Sequence, residues 1–555
     1  MDEQQHGLSC EAHGTAALQQ SGNDFNGVAT QEGYCAGPGG SADLSGTFPI
    51  SQGRIGGTDI AFALSDCQAS GSTIGSPPSG ASGTLSCRIR QNGTTFKFTG
   101  TWQITRGAAT LTLAPDSLGV VIDTTGRLQA TLLDAAGVPL TDHQFRWISS
   151  DLQVASVDND GTVHGLSPGT VTVRVASIPL YPLEDSVVKE VRVSVVLRFT
   201  AIRAGAEHTC AVTAKGRAFC WGWGADYRLG TGTQSAEMLP AAVAGSLRFA
   251  TVSPGMVHSC GLTTSGAAYC WGNGVGGALG DGTGNTSPVP IAIASNLSFA
   301  LVEAGTYGSC AVTASGDAYC WGTNDEGAVG RGSIGGPYQL SPFAVVGGHS
   351  FAQLSSTVSP GGGGVATCGV TTAGDGYCWG QGSVGQLGDS SEQASGSPML
   401  IAGAHTWSSI QTGWGHTCGI TTDSVAYCWG YAIDGALGTG STQPVTQSVP
   451  ALVSGGYHWS AISAGDHYTC GITTSGAAFC WGTGGSRLGS GQMNDQPAPT
   501  PVLGGLHFTA ISAGGGHTCG LATSGPAYCW GDGSFGQLGH GTQMSKGEPT
   551  LVGRQ

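Results

Sequence analysis

The stretch His258-Ser259-Cys260-Gly261-Leu262-Thr263-Thr264-Ser265-Gly266-Ala267-Ala268-Tyr269-Cys270-Trp271-Gly272 decides the fold. Two Cys stand ten positions apart, a Gly lies six positions after the first, and Trp-Gly follows directly. A three-residue hairpin loop, type I with a left-handed residue in the bulge, sets residues i and i+10 opposite each other. Counting in from that loop puts the two Cys at a non-hydrogen-bonded site, where their Cβ atoms are close enough to bond. The stretch therefore predicts a hairpin whose arms are clipped by a disulfide.

Outward from here the pattern recurs, always with the same spacing and the same Trp-Gly. Cys210 pairs with Cys220, Cys260 with Cys270, Cys310 with Cys320 and Cys368 with Cys378. Cys418 then pairs with Cys428, Cys470 with Cys480, and Cys519 with Cys529. The loop residue is Gly216, Gly266, Gly316, Gly374, Gly476 or Gly525, with Ser424 the exception. An aromatic anchor precedes each hairpin: Phe199, Phe249, Phe299, Phe351, Trp407, Trp459 or Phe508. An aliphatic residue follows three positions after it, from Ile202 in the first copy to Ile511 in the last. After each Trp-Gly comes a loop ending in Leu-Gly or Val-Gly, then a segment with Pro and Val such as Pro501-Val502. Four short strands per copy make one propeller blade, which cannot bury its faces alone.

Composition agrees with an all-β chain. Gly fills 97 of 555 positions, only 10% of residues are charged, and no sustained helical stripe or membrane-length apolar run occurs. The 18 Cys include no CxxC knuckle, so disulfides rather than metal sites are expected, and with them an oxidising compartment. The start, Met1-Asp2-Glu3-Gln4-Gln5, lacks a secretory pattern, so a removed signal segment is inferred. The net charge of −15 argues against nucleic acid and anionic lipid as partners.

The pattern His-Thr-Cys-x-x-Thr-x-x-Gly-x-x-x-Cys-Trp-Gly with a later Gly-Gln-Leu-Gly resembles the RCC1 repeat in a Cys-rich extracellular form. The resemblance covers about residues 197–555 and implies a seven-bladed ring over 198–555. The first copy has no preceding Pro-Val segment, whereas Pro549-Thr550-Leu551-Val552 ends the chain. That tail is expected to complete the first blade and close the ring. His208, His258, His416 and His517 stand two before the first Cys, with Gly308, Ala366 and Tyr468 in the other copies. An incomplete set suits hydrogen bonds to neighbouring loops better than a metal. The Trp after each second Cys is expected to pack between blades.

Residues 108–197 follow another rhythm, with Trp147-Ile148-Ser149-Ser150-Asp151, Val154-Ala155-Ser156-Val157 and Gly169-Thr170-Val171-Thr172-Val173. Alternating β-branched residues between Asp, Asn and Gly turns predict a β-sandwich. The order of these motifs resembles the bacterial Ig-like domain of group 2. Asp158-Asn159-Asp160-Gly161 is taken as a hairpin turn rather than a calcium loop. Residues 1–107 are expected to form a small sheet or barrel, with Cys10 bonded to Cys35 and Cys67 to Cys87. The fold expected overall is all-β: a seven-bladed propeller, an Ig-like sandwich and a small disulfide-bonded N-terminal domain.

No nucleophile elbow, phosphate loop or carboxylate pair points to catalysis, and no metal or cofactor is implied. What varies between copies is the loop after Trp-Gly. Trp223, Asp226, Tyr227, Asn273, Asp325, Glu326, Gln381, Tyr431, Asp434 and Phe535 are expected on one face, as a recognition surface. The leading expectation is a secreted or surface binding protein, with the Ig-like module as stalk and the propeller as head for a protein or glycan. Two other readings are a subunit of a surface layer or filament, assembling through the N-terminal or Ig-like domain, and an inhibitor of a secreted enzyme. Nucleotide exchange or chromatin binding fits the acidic charge and the disulfides poorly.

Overall fold

The computed structural model describes the backbone of residues 9–553, apart from 22–23, 38–39, 44–45, 57–58, 65–66, 75–79, 92–93, 106–107, 135–136, 142, 179–185 and 359–364. Side chains are described from residue 110 onward, outside those stretches and residue 134. Two compact units divide the chain, with the main boundary between Ser194 and Val195.

In the first unit, strands between Ser9 and Thr105 form one eight-stranded antiparallel sheet in near-sequential order. Its register sets Cys10 opposite Cys35 and Cys67 opposite Cys87. The two expected disulfides themselves fall outside the described side chains. Beyond them, three short sheets enclose a core of Leu128, Leu132, Val163, Val173, Val175 and Val193, with Trp147 at its edge. Asp158–Gly161 is a hairpin turn: Gly161 N donates to Asp158 O and Asp158 N to Thr162 O.

The second unit holds, among the described residues, seven four-stranded antiparallel sheets, at 199–242, 249–292, 299–344, 351–400, 407–452, 459–501 and 508–551. Within each, strands follow chain order from the ring axis outward, because the first strands of neighbouring blades lie against one another. The aromatic anchors are all buried, as are the second strands almost throughout.

All seven hairpins are clipped as their spacing predicts. The register sets Cys210 opposite Cys220, Cys260 opposite Cys270, Cys310 opposite Cys320 and Cys368 opposite Cys378. It likewise sets Cys418 opposite Cys428, Cys470 opposite Cys480 and Cys519 opposite Cys529. Every one of these pairs is bonded, with Cα atoms 4.0–4.1 Å apart. Thr263 N donates to Ala267 O and Gly266 N to Thr263 O, which is the expected three-residue loop. Ser424 adopts the same left-handed conformation, at φ 67°.

The expected closure by the C-terminal tail is corrected. Lys546–Leu551 pairs with the third strand of its own blade, Tyr528 opposite Leu551, and blade one carries its own outer strand, Glu237–Ala242. Each Pro-bearing segment belongs to the hairpin before it, so the first blade lacks nothing. The ring closes instead through contacts of the kinds that join other seams. Trp221 Nε1 of blade one donates to Gln537 O of blade seven, and Ala204 N to Ser512 Oγ. The same indole bond joins Trp271 to Arg228 O, Trp321 to Ala278 O, Trp379 to Ala328 O and Trp429 to Gln386 O. These Trp are fully buried between blades, as expected.

The histidines also cross seams, and their partners are strand hydroxyls of the next blade rather than loops. His208 Nε2 lies 2.8 Å from Ser259 Oγ, His258 2.7 Å from Ser309, His416 2.9 Å from Thr469 and His517 2.8 Å from Thr209. Each of those hydroxyls spends its proton on a backbone carbonyl, Ser259 on Arg228 O for one. At His208, His258 and His517 the imidazole must then donate, which fixes the neutral Nε2–H tautomer, whereas His416 also sets Nδ1 3.4 Å from Trp414 O.

Candidate recognition face

One bond per blade fixes where the variable residues go. The first amide after each Trp-Gly donates to the loop between the inner and second strands. The pairs are Trp223 N to Glu207 O, Asn273 to Val257, Thr323 to Tyr307, Gln381 to Val365, Tyr431 to Gly415, Thr483 to His467 and Asp532 to Gly516, at 2.7–3.2 Å. The loops that follow the third strands thus share one end of the ring with the inner loops. The hairpin tips and the blade-to-blade connections occupy the other end.

Two aromatic groups form on this face. At the seam of blades seven and one, Trp223 stacks on Phe535 with centroids 5.0 Å apart. The Arg228 guanidinium lies 4.2 Å over the Trp223 ring and reaches Asp226 at 3.1 Å and Glu207 at 3.5 Å. It also donates to Ala225 O and Met256 O, and its side chain is only 2% exposed. Burial lowers the Arg228 pKa, opposed by Asp226 and Glu207. Burial likewise raises the Glu207 carboxyl, against the pull of Arg228. Asp226 and Tyr227 are consecutive non-glycine residues at φ 59° and 61°, where blade two has Gly276 and Gly277. Such backbone costs energy and persists only where its surroundings hold it.

The second group lies at blades five and six. His467 sits 4.3 Å from Trp414 and 5.9 Å from Tyr431, and Trp414 lies 6.0 Å from Tyr431. Asp466 approaches His467 at 3.6 Å, and Arg487 donates to its backbone carbonyl. Burial raises the Asp466 carboxyl, opposed by His467 and Arg487.

The face therefore brings together Trp223, Asp226 and Phe535 around Arg228, and sets Tyr431 in a second group. Tyr227 adjoins the first group along the chain. The remaining expected residues stand apart. Asn273 caps Val275 N, Asp434 accepts from Thr483 Oγ1, Gln381 donates to Ser383 Oγ, and Asp325 and Glu326 are exposed. Sequence reasoning missed Glu207, Arg228, Trp414, Asp466, His467 and Arg487. Arg228 and Arg487 had a signal: they stand where the other five copies have Ala or Gln before Leu-Gly or Val-Gly. Among the described residues, no three His, Cys, Asp or Glu are grouped to hold a metal ion.

This architecture is a disulfide-clipped β-propeller of repeats that follows an Ig-like domain in the chain. Models of the regulator of chromosome condensation (RCC1) repeat match residues 215–262, 265–312, 373–420, 423–472 and 524–554, and also 199–228, 299–328 and 508–537. The bacterial Ig-like domain (group 2) matches residues 108–177. The chain thus carries RCC1 repeats and a group 2 Ig-like domain. Prp20p from Saccharomyces cerevisiae is similar in structure, at 20% identity and TM-score 0.52, over 64% of this chain and 87% of that one. Human WBSCR16 is similar at 20% identity and TM-score 0.53, over 69% and 100%. At such identities the likeness concerns the fold. No curated protein matches the chain.

Proposed function

We propose that this chain is an extracellular, non-catalytic protein-binding module, with the Ig-like domain as stalk and the loop face of the propeller as recognition surface. The observation that carries this is the contrast between frame and face. Seven blades repeat the same clip and the same buried Trp at each seam, while the residues after Trp-Gly differ from blade to blade and gather rings at two seams. Rigid loops with half-buried aromatic side chains supply contact area at low entropic cost. Support for a protein partner comes from the structural neighbour Prp20p, which is described as binding Gsp1p and histones. Seven disulfides and a bacterial Ig-like domain favour a location outside the cytosol.

The test is affinity capture from the culture medium of the source organism, with bound proteins identified by mass spectrometry. The comparison is a variant combining Trp223→Ala, Tyr227→Ala, Tyr431→Ala and Phe535→Ala, checked for folding by circular dichroism. Loss of a reproducible partner is expected. Unchanged capture by the folded variant would place recognition elsewhere.

A further inference from the structure

Charge is sorted between the two ends of the ring. Among the described residues, the loops on the recognition face hold eleven carboxylates against three guanidiniums. The hairpin tips, the blade connections and the segment entering blade one, at the other end, hold three carboxylates against four cations, Arg198, Lys215, Arg217 and Arg248. The three guanidiniums of the acidic face are all engaged internally. Arg228 is buried in its ion pairs, Arg331 donates to the carbonyls of Pro337 and Gly335, and Arg487 donates to Asp466 O and lies over Tyr468. The end that carries the aromatic groups is thus the end that carries the charge.

The molecule also contains an example of what such a surface holds. The Arg228 guanidinium rests on the Trp223 indole between two carboxylates, a cation–π contact reinforced by ion pairs. Aromatic rings and carboxylates recur together at the second group, where Trp414, Tyr431 and His467 stand beside Asp466. Farther along the ring Asp325 and Glu326 are exposed. A polyanion such as nucleic acid or an anionic bilayer is repelled from this end, whereas a cationic chain with long aliphatic stems is steered to it.

We propose that the acidic loop face docks a lysine- and arginine-rich segment of the partner protein, laid across the aromatic groups. This rests on the recognition role argued above and names the chemistry of its partner. The carboxylates steer encounter and set the salt dependence, while the rings supply the contact that survives screening.

The experiment uses the full chain and fluorescence anisotropy with labelled oligolysine, oligoarginine and, for comparison, oligoglutamate of equal length. Two double variants with the same change in net charge separate the faces: Asp325→Asn with Glu326→Gln on the acidic end, and Asp317→Asn with Asp375→Asn on the other. Oligolysine affinity should fall about three- to tenfold for the first variant at low ionic strength, and hardly at all for the second. Oligoarginine should keep residual affinity at high salt that Phe535→Ala removes. Equal effects of the two charge variants, or equal binding of oligoglutamate, would overturn the proposal. So would capture of a native partner that has no basic segment and binds independently of salt, although that result leaves the recognition role standing. Unchanged capture by the four-residue aromatic variant defeats that role itself, which keeps the two failures distinguishable.

Discussion

The Gly that follows each buried Leu or Val after the third strand sits at φ 66–72° and lies flat under the indole of the next blade. A Cβ on Gly438 would stand 2.5 Å from Trp481 Nε1, and one on Gly539 would stand 2.6 Å from Trp221 Nε1 across the closing seam. Backbone conformation and contact both exclude a side chain there, and a nearby glycine separates the two causes. Gly440 has φ 89°, yet a Cβ on it would meet only Ser454 Oγ, at 4.0 Å. Gly440→Ala should therefore cost about 1 kcal/mol, the penalty of the left-handed backbone alone. Gly438→Ala adds overpacking against a fully buried indole and should cost about 1–3 kcal/mol more. Chemical denaturation of both variants measures the difference; equal losses would mean that the indole contact carries no weight.

At the scale of the element, the hairpin was the most legible feature, because the ten-residue Cys spacing admits one register and one loop. Ser424 tests that reading. It holds φ 67° where the other copies use Gly, and its N–H still closes the turn onto Thr421 O. Ser424→Gly should stabilise the protein by about 0.5–1 kcal/mol, seen as a higher unfolding midpoint. Breaking a clip acts the other way: Cys310→Ala combined with Cys320→Ala should cost roughly 2–3 kcal/mol, an upper figure because the hairpin is already local. The outer strand was less legible. A Pro-Val segment lies between two hairpins in sequence, and nothing in its composition says which one it joins. The structure pairs each with the hairpin before it, in register with the residue preceding Cys, as Phe219 with Ala242. Each outer strand carries at least one Pro, Pro240 in blade one and Pro549 in blade seven, which strips donors from an exposed sheet edge. Edge-to-edge growth through the rim is thereby disfavoured. The proposed recognition face was half legible for a related reason: the loops after Trp-Gly are visible as departures from the repeat. Arg228 and His467 act by contact across blades or loops, which the chain order of one copy does not contain.

For the whole molecule, seven seams hold the ring, and four of them pass through a buried neutral histidine. Burial lowers His258 to about 3 and both His416 and His517 to about 4, and it holds His208 well below the ordinary value. Arg228 lowers His208 and His258 further, whereas Asp532 works against the shift at His517. The Nδ1 atoms of His208, His258 and His517 have no partner, so a proton added there would be buried without an acceptor. In the unfolded chain each ring takes its proton near pH 6.5, whereas in the folded chain His258, His416 and His517 do so only near 3–4 and His208 well below 6.5. The unfolded state therefore binds more protons throughout that window. Stability is complete above about pH 6.5 and is lost as pH falls, by about 1.4 kcal/mol per unit for each histidine once well below that value. Glu207 and Asp466 have raised pKa values and oppose this loss, but they are two carboxyls against four imidazoles. Urea midpoints should accordingly fall steeply between pH 7 and about pH 4.5. His416→Gln should reduce that slope, because a neutral amide keeps a donor toward Thr469 Oγ1 and takes no proton. A midpoint that stays level across the range would mean that these seams do not exclude protons, and the assigned tautomer would then be wrong.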